Sequence, residues 1–165
     1  MRGQTSHFTF PTLVAALSLA VVACGRATPS VGKDPAGAAS HEMSRAVVDP
    51  YLKIDAALAS DSLDGVKAHA GEVATAATAL GANAVRIDTA AVQLASAADL
   101  TDARATFAVL SEALDTYMSA QHLTPPAGVL VAFCPMVMKP WLQEQGPLRN
   151  PYYGSQMLTC GSVRN

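Results

Sequence analysis

The sequence predicts an all-α domain, an antiparallel up-and-down four-helix bundle followed by an irregular C-terminal segment with room for a short β-hairpin. Half of the 165 residues are hydrophobic, yet only 5% are aromatic and alanine abounds. That composition favours close-packed helices, because pleated strands take β-branched and aromatic side chains. Apolar residues then recur at intervals of three and four in four successive windows, the period of a helix with one buried stripe. The connections between those windows are short, the condition under which consecutive helices become antiparallel neighbours.

The first helix begins at about Met43, with Val47, Tyr51, Ile54 and Leu58 on one face. Pro50 interrupts it: Asp49-Pro50 reads either as an N-cap with a first-turn proline or as a kink. Asp61 and Ser62 punctuate the chain before a second helix from about Leu63 to Leu80, whose stripe is Leu63, Val66, Ala70, Val73, Ala77 and Leu80. Gly81 stands where a C-terminal glycine cap belongs. A weaker third helix spans Ala84 to Ala98 and is built on Val85, Val92 and Ala95. Asp99 and Thr101 start the strongest one, with Leu100, Phe107, Leu110, Leu114, Tyr117 and Met118 facing inward, ending near His122. Thr124-Pro125-Pro126 stops it, since the residue before a proline avoids the helical region.

Ahead of the helices lies an address. An apolar run from Leu13 to Ala23 follows a weakly basic start and ends at Cys24. It is too short to span a bilayer, which takes about 20 residues, and it fits a signal-peptide core. Val21-Val22-Ala23-Cys24 resembles the lipobox of bacterial lipoproteins, with Val21 where that pattern prefers Leu. The resemblance implies cleavage before Cys24, a lipid on its thiol and acylation of the new amine. With Gly25 rather than Asp next, it implies anchoring to the outer membrane. An ordinary secretory signal is the alternative, and both place the mature chain outside the cytoplasm, in the periplasm. Residues 1–23 are thus the signal and 24–42 a flexible tether rich in Gly, Ala, Pro and Ser. The helical domain with its C-terminal motif segment is 43–165.

The chemistry is concentrated at the far end. After the strand-like run Val129–Phe133, the tail holds both non-signal cysteines, three of the six methionines, the only tryptophan and half of the tyrosines. Cys134 and Met136 are two apart, Met157 and Cys160 three apart. Each spacing can aim two sulfurs one way on a turn. If the tail folds back, four soft donors converge, and thiolates with thioethers select Cu(I) or Ag(I) over ions that want oxygen. Zinc is a poorer match, because thioethers are weak zinc ligands and no third cysteine or neighbouring histidine is at hand. The competing reading is a disulfide between Cys134 and Cys160, the usual fate of two cysteines in an oxidising compartment. Its loop would contribute on the order of 3 kcal/mol, leaving Met136 and Met157 as core residues. Both readings require the two cysteines to be close.

Other functions find little footing. With 11 Lys+Arg against 13 Asp+Glu the chain offers no basic footprint for nucleic acid. Ser111 lies on a helix with no histidine at a useful spacing, and no nucleophile elbow, phosphate loop or dinucleotide turn is present. The chain is therefore read as a non-enzyme. Trp141 reads as a buried lid on the bundle end, or as a ring against a bound cation. Asn150-Pro151…Gly154 reads as a turn, His69 as a boundary residue, and His122 as a helix-end charge or an auxiliary ligand. Met138 adds a ligand or fills space.

The tail motifs also carry a family resemblance. Phe133-Cys134-Pro135-Met136, Trp141-Leu142-Gln143, Arg149-Asn150-Pro151-Tyr152-Tyr153-Gly154 and Met157-Leu158-Thr159-Cys160-Gly161 resemble the signature of the bacterial domain of unknown function 3347. Upstream, Tyr51-Leu52…Ala57-Leu58 and Ala103-Arg104…Phe107…Leu110 to Leu114 resemble its helical part. The likeness covers about Met43 to Val163. It implies an exported domain, found in lipoproteins and attached to periplasmic adaptor subunits of copper and silver efflux systems. It also implies a Cu(I)/Ag(I) role for Cys134, Met136, Met157 and Cys160. The alternative it leaves is a disulfide-clamped, metal-free module that docks on an envelope or efflux partner.

Overall fold

The computed structural model describes residues 41–164. The signal segment, Cys24 and the tether up to residue 40 lie outside the described residues. Four helices come first: α1 (Arg45–Ala59), α2 (Val66–Ala79), α3 (Val85–Ala95) and α4 (Leu100–Ala120). Three strands follow: β1 (Val129–Cys134), β2 (Lys139–Glu144) and β3 (Ser162–Arg164). They form one antiparallel sheet in the order β2-β1-β3. A short 3-10 turn precedes α3, and another, Gly154–Gln156, lies between β2 and β3. Among the described residues no helix is long and apolar enough to cross a membrane.

The all-α expectation is thus overturned: the domain is mixed helix and sheet, and the tail is an ordered layer, not an irregular appendix. Consecutive helices pack on one another, but α1 and α4 barely meet. The hairpin strand β2 packs on both and fills the seam that would have closed a four-helix bundle. Tyr51 of α1 and Ser111 of α4 are bonded across this seam at 2.6 Å, and the backbone N–H of Leu142 in β2 donates to the Tyr51 hydroxyl at 3.3 Å. Burial pushes the Tyr51 phenol well above its usual range, so the hydroxyl stays protonated and able to donate. Phe107 stacks 4.8 Å from Tyr51 and 6.1 Å from Tyr152, and Trp141 meets Tyr152 edge-on at 6.0 Å. This aromatic column ties helix core to sheet.

Local chemistry accounts for the boundaries. The carboxylate of Asp99 accepts from the Asp102 N–H at 2.9 Å, and Asp102 in turn accepts from the Ala98 N–H at 3.0 Å, so α4 starts with a reciprocal cap. Gly81, at φ +84, ends α2 as expected. Pro50 is neither cap nor first-turn residue: α1 begins at Arg45 and runs through it, with the ring buried in the core. On α3 the buried residues are Ile87, Ala90, Ala91 and Leu94, while Val85 and Val92 are 56% and 54% exposed, so the predicted face points outward. Pro140 sits on β2, an edge strand, where a missing N–H costs no inner ladder bond.

Candidate functional site

The tail does fold back. β3 pairs with β1 so that Phe133 faces Ser162, and the register continued by one residue sets Cys134 opposite Gly161, beside Cys160. Gly161 is required there, because a Cβ would stand 2.6 Å from Trp141 Cη2 and 3.0 Å from the Phe133 carbonyl at φ +145. The two cysteines are thereby brought to one place, and both are free thiols. Cys134 is fully buried at the end of β1, whereas Cys160 is half-buried on the connecting turn.

Asn150 holds this place together. It is fully buried, and its Nδ2 donates to the Cys160 carbonyl at 2.7 Å and to Cys134 Sγ at 3.3 Å. Its Oδ1 accepts from the Tyr152 N–H at 2.9 Å, its own N–H donates to the Leu158 carbonyl at 2.7 Å, and its carbonyl accepts from the Gly154 N–H at 3.0 Å. The sequence marked this residue only as the start of a turn. It is a turn, and it is also the hub that joins the two cysteine-bearing segments. The signal that finds it is an amide between two short spans that must meet, a side chain able to donate and accept at once.

The methionines divide. Met136 and Met138 occupy the β1–β2 turn and are 59% and 66% exposed, so both side chains face solvent at the tip of the hairpin. Met138 takes φ +55, a left-handed position at that tip. Met157 is half-buried, and the Cys160 N–H donates to its carbonyl at 3.0 Å, so one tight turn spans the Met157 and Cys160 pair. Of the four expected sulfur residues, three thus lie on segments tied through Asn150 and the 157–160 turn. Met136 lies at the exposed edge.

Flanking residues brace the site rather than enter it. Trp141 is buried, with its Nε1 donating to Gln143 Oε1 at 3.2 Å, and its ring packs edge-on against Tyr152. Gln143 uses its amide on the carbonyls of Glu144 and Pro147, at 3.2 and 3.1 Å, and its Oε1 also takes the Arg149 N–H. The Tyr152 hydroxyl donates to the Pro140 carbonyl, and burial holds its phenol far above its ordinary range. Arg104 binds the carbonyls of Pro151 and Leu58, at 3.0 and 2.9 Å, and pairs with Asp61. His122 ends α4 in a left-handed conformation, exposed, while His69 pairs with Glu72 at 3.1 Å on α2.

Among the described residues no group of three or more His, Cys, Asp or Glu side chains is placed to hold a metal ion. No family model matches the chain, and no curated protein or solved structure matches it either.

Proposed function

We propose that the chain is a lipid-anchored periplasmic protein that captures a soft monovalent cation, Cu(I) or Ag(I), as cargo for a metal efflux or tolerance system. The carrying observation is that Asn150 bridges Cys134 and Cys160, bringing two free thiols onto adjoining segments. Two thiolates satisfy a linear Cu(I) centre. Met157, on the turn leading to Cys160, would supply a thioether as a third donor, and soft sulfur donors of this kind select such ions. Met136 and Met138, exposed at the hairpin tip, suit first capture of the ion and its transfer to a partner such as an efflux adaptor. The membrane is reached through lipidated Cys24.

A second reading has its own support. Cys134 is fully buried, as a structural thiol would be, which suits a disulfide-clamped, metal-free docking module. Titration of the reduced chain with Cu(I) against a competing cuprous chelator separates the two. The metal reading expects about one tightly held equivalent, abolished by Cys134→Ser with Cys160→Ser and weakened by Met157→Leu. A reduced protein that leaves all cuprous ion with the chelator refutes it, and an export form with no titratable thiol then favours the clamp.

A further inference from the structure

Away from the sulfur site, α1 and the loop after β2 enclose an open cleft of about 590 Å³. Asp55 lies at its buried side. This residue is 5% exposed, and its Oδ1 is the one fully buried side-chain oxygen among the described residues that has no hydrogen-bond partner. A carboxylate left so is expensive unless something brings a donor to it. Burial pushes the Asp55 carboxyl up, the nearby charge of Arg149 opposes that and Glu144 adds to it, and no protein group donates a hydrogen bond to Oδ1.

The remainder of the lining narrows the donor. Arg45, Lys53 and Arg149 balance Asp49, Asp55 and Glu144, so the cleft has no net formal charge. Arg45 and Asp49 are spent on each other at 3.4 Å. Lys53 has no ion pair among the described residues, and Arg149 reaches only the Ser60 hydroxyl with its side chain, at 3.0 Å. A free carboxylate at depth and free cations at the rim match a ligand with an ammonium at one end and a carboxylate at the other. Leu52 and Pro147 supply apolar wall between them. The volume falls within the range of small-molecule sites.

We propose that this cleft binds a small zwitterion, an amino acid or dipeptide, with its ammonium on Asp55 and its carboxylate on Arg149 and Lys53. Glycine, leucine and the dipeptide Gly-Leu are the probes, titrated into the isotope-labelled full chain and followed by amide NMR shifts. At least one probe is expected to give saturable shifts confined to residues 52–56 and 143–149. N-acetylating that probe removes the ammonium and is expected to weaken binding about tenfold or more, as is Asp55→Asn. The acetylated probe tests the same contact without altering the protein, so a variant that fails to fold leaves the question answerable. The proposal is overturned if none of the three probes gives saturable shifts up to about 10 mM, or if acetylation leaves the affinity unchanged.

Discussion

Replacing Asn150 by alanine removes every side-chain bond that joins the two cysteine segments while leaving backbone bonds in place. Three contacts go: to the Cys160 carbonyl, to Cys134 Sγ and from the Tyr152 N–H. Two of the abandoned partners are backbone groups, the Tyr152 N–H buried and the Cys160 carbonyl partly so, and each unpaired buried group costs about 1–3 kcal/mol. The sulfur is a weak acceptor and adds little. The sum is a loss of about 2–5 kcal/mol, large for a domain whose whole stability is about 5–15 kcal/mol. At this size each kcal/mol moves the midpoint by about 3–6 °C, so thermal unfolding should fall by about 6–30 °C. A thiol reagent reports the local consequence. In the parent the half-buried Cys160 should react first and Cys134 slowly, and in the variant the Cys134 reaction should accelerate by far more than that of Cys160. Should the variant lose less than about 1 kcal/mol with Cys134 still protected, Asn150 is not the hub, and the argument for paired thiols loses its basis.

Gly161→Ala should destabilise by about 2–4 kcal/mol in denaturant unfolding, because the new methyl meets Trp141 and the Phe133 carbonyl at a backbone angle side chains avoid; a neutral outcome would mean that β3 does not close on Trp141. The carboxyl of Asp61 is held down at about 2 by hydrogen bonds from Ser155 and Arg104, so its contribution is fully present above 3.8 and lost as pH falls through about 2. A carbon-detected NMR titration that gives Asp61 its ordinary value would dismiss those bonds. Asp55 has the opposite sign: its raised carboxyl favours the folded state below 3.8 and penalises it as pH climbs toward the folded value. Asp55→Asn should therefore gain stability relative to the parent between about pH 4 and neutrality, and a pH-independent difference would show that the carboxylate carries no burial penalty.

Much of the helical half was legible because apolar spacing is a direct consequence of helical geometry. Val47, Tyr51, Ile54 and Leu58 are all buried, as are Phe107, Leu110, Leu114 and Met118. Where that signal was ambiguous it failed. On α3 the pairs Val85/Val92 and Ile87/Leu94 have the same seven-residue spacing, and the alanines around them do not break the tie. Pro50 reads in sequence as a first-turn residue or a kink, and it lies inside α1, where packing of its ring in the core offsets one missing bond. β1 was visible as an apolar run. β2 was not, since Pro140, Trp141, Leu142 and Gln143 are buried in succession and show no alternation, and β3 is only three exposed residues. Both sequence readings require Cys134 and Cys160 to be close without showing that they are, and Asn150 looks the same in sequence whether it sits on a surface turn or in a core. Asp55 does carry a sequence signal: it stands four residues after Tyr51 and three before Leu58, a charge on the apolar face of α1.

The insertion of β2 between α1 and α4 also governs how the molecule comes into being. A chain ending at Pro126 would be an open trough, with Tyr51, Phe107 and Ser111 facing water along its length. The contact that shuts the trough joins residues 91 positions apart, Tyr51 and Leu142, and long-range closure of this kind is the slow step of assembly. Synthesis delivers the N-terminal side first, so the keystone strand emerges after the four helices it joins. Any fusion, tag or cleavage that delays the final forty residues holds the whole protein, helices included, in its unfinished form.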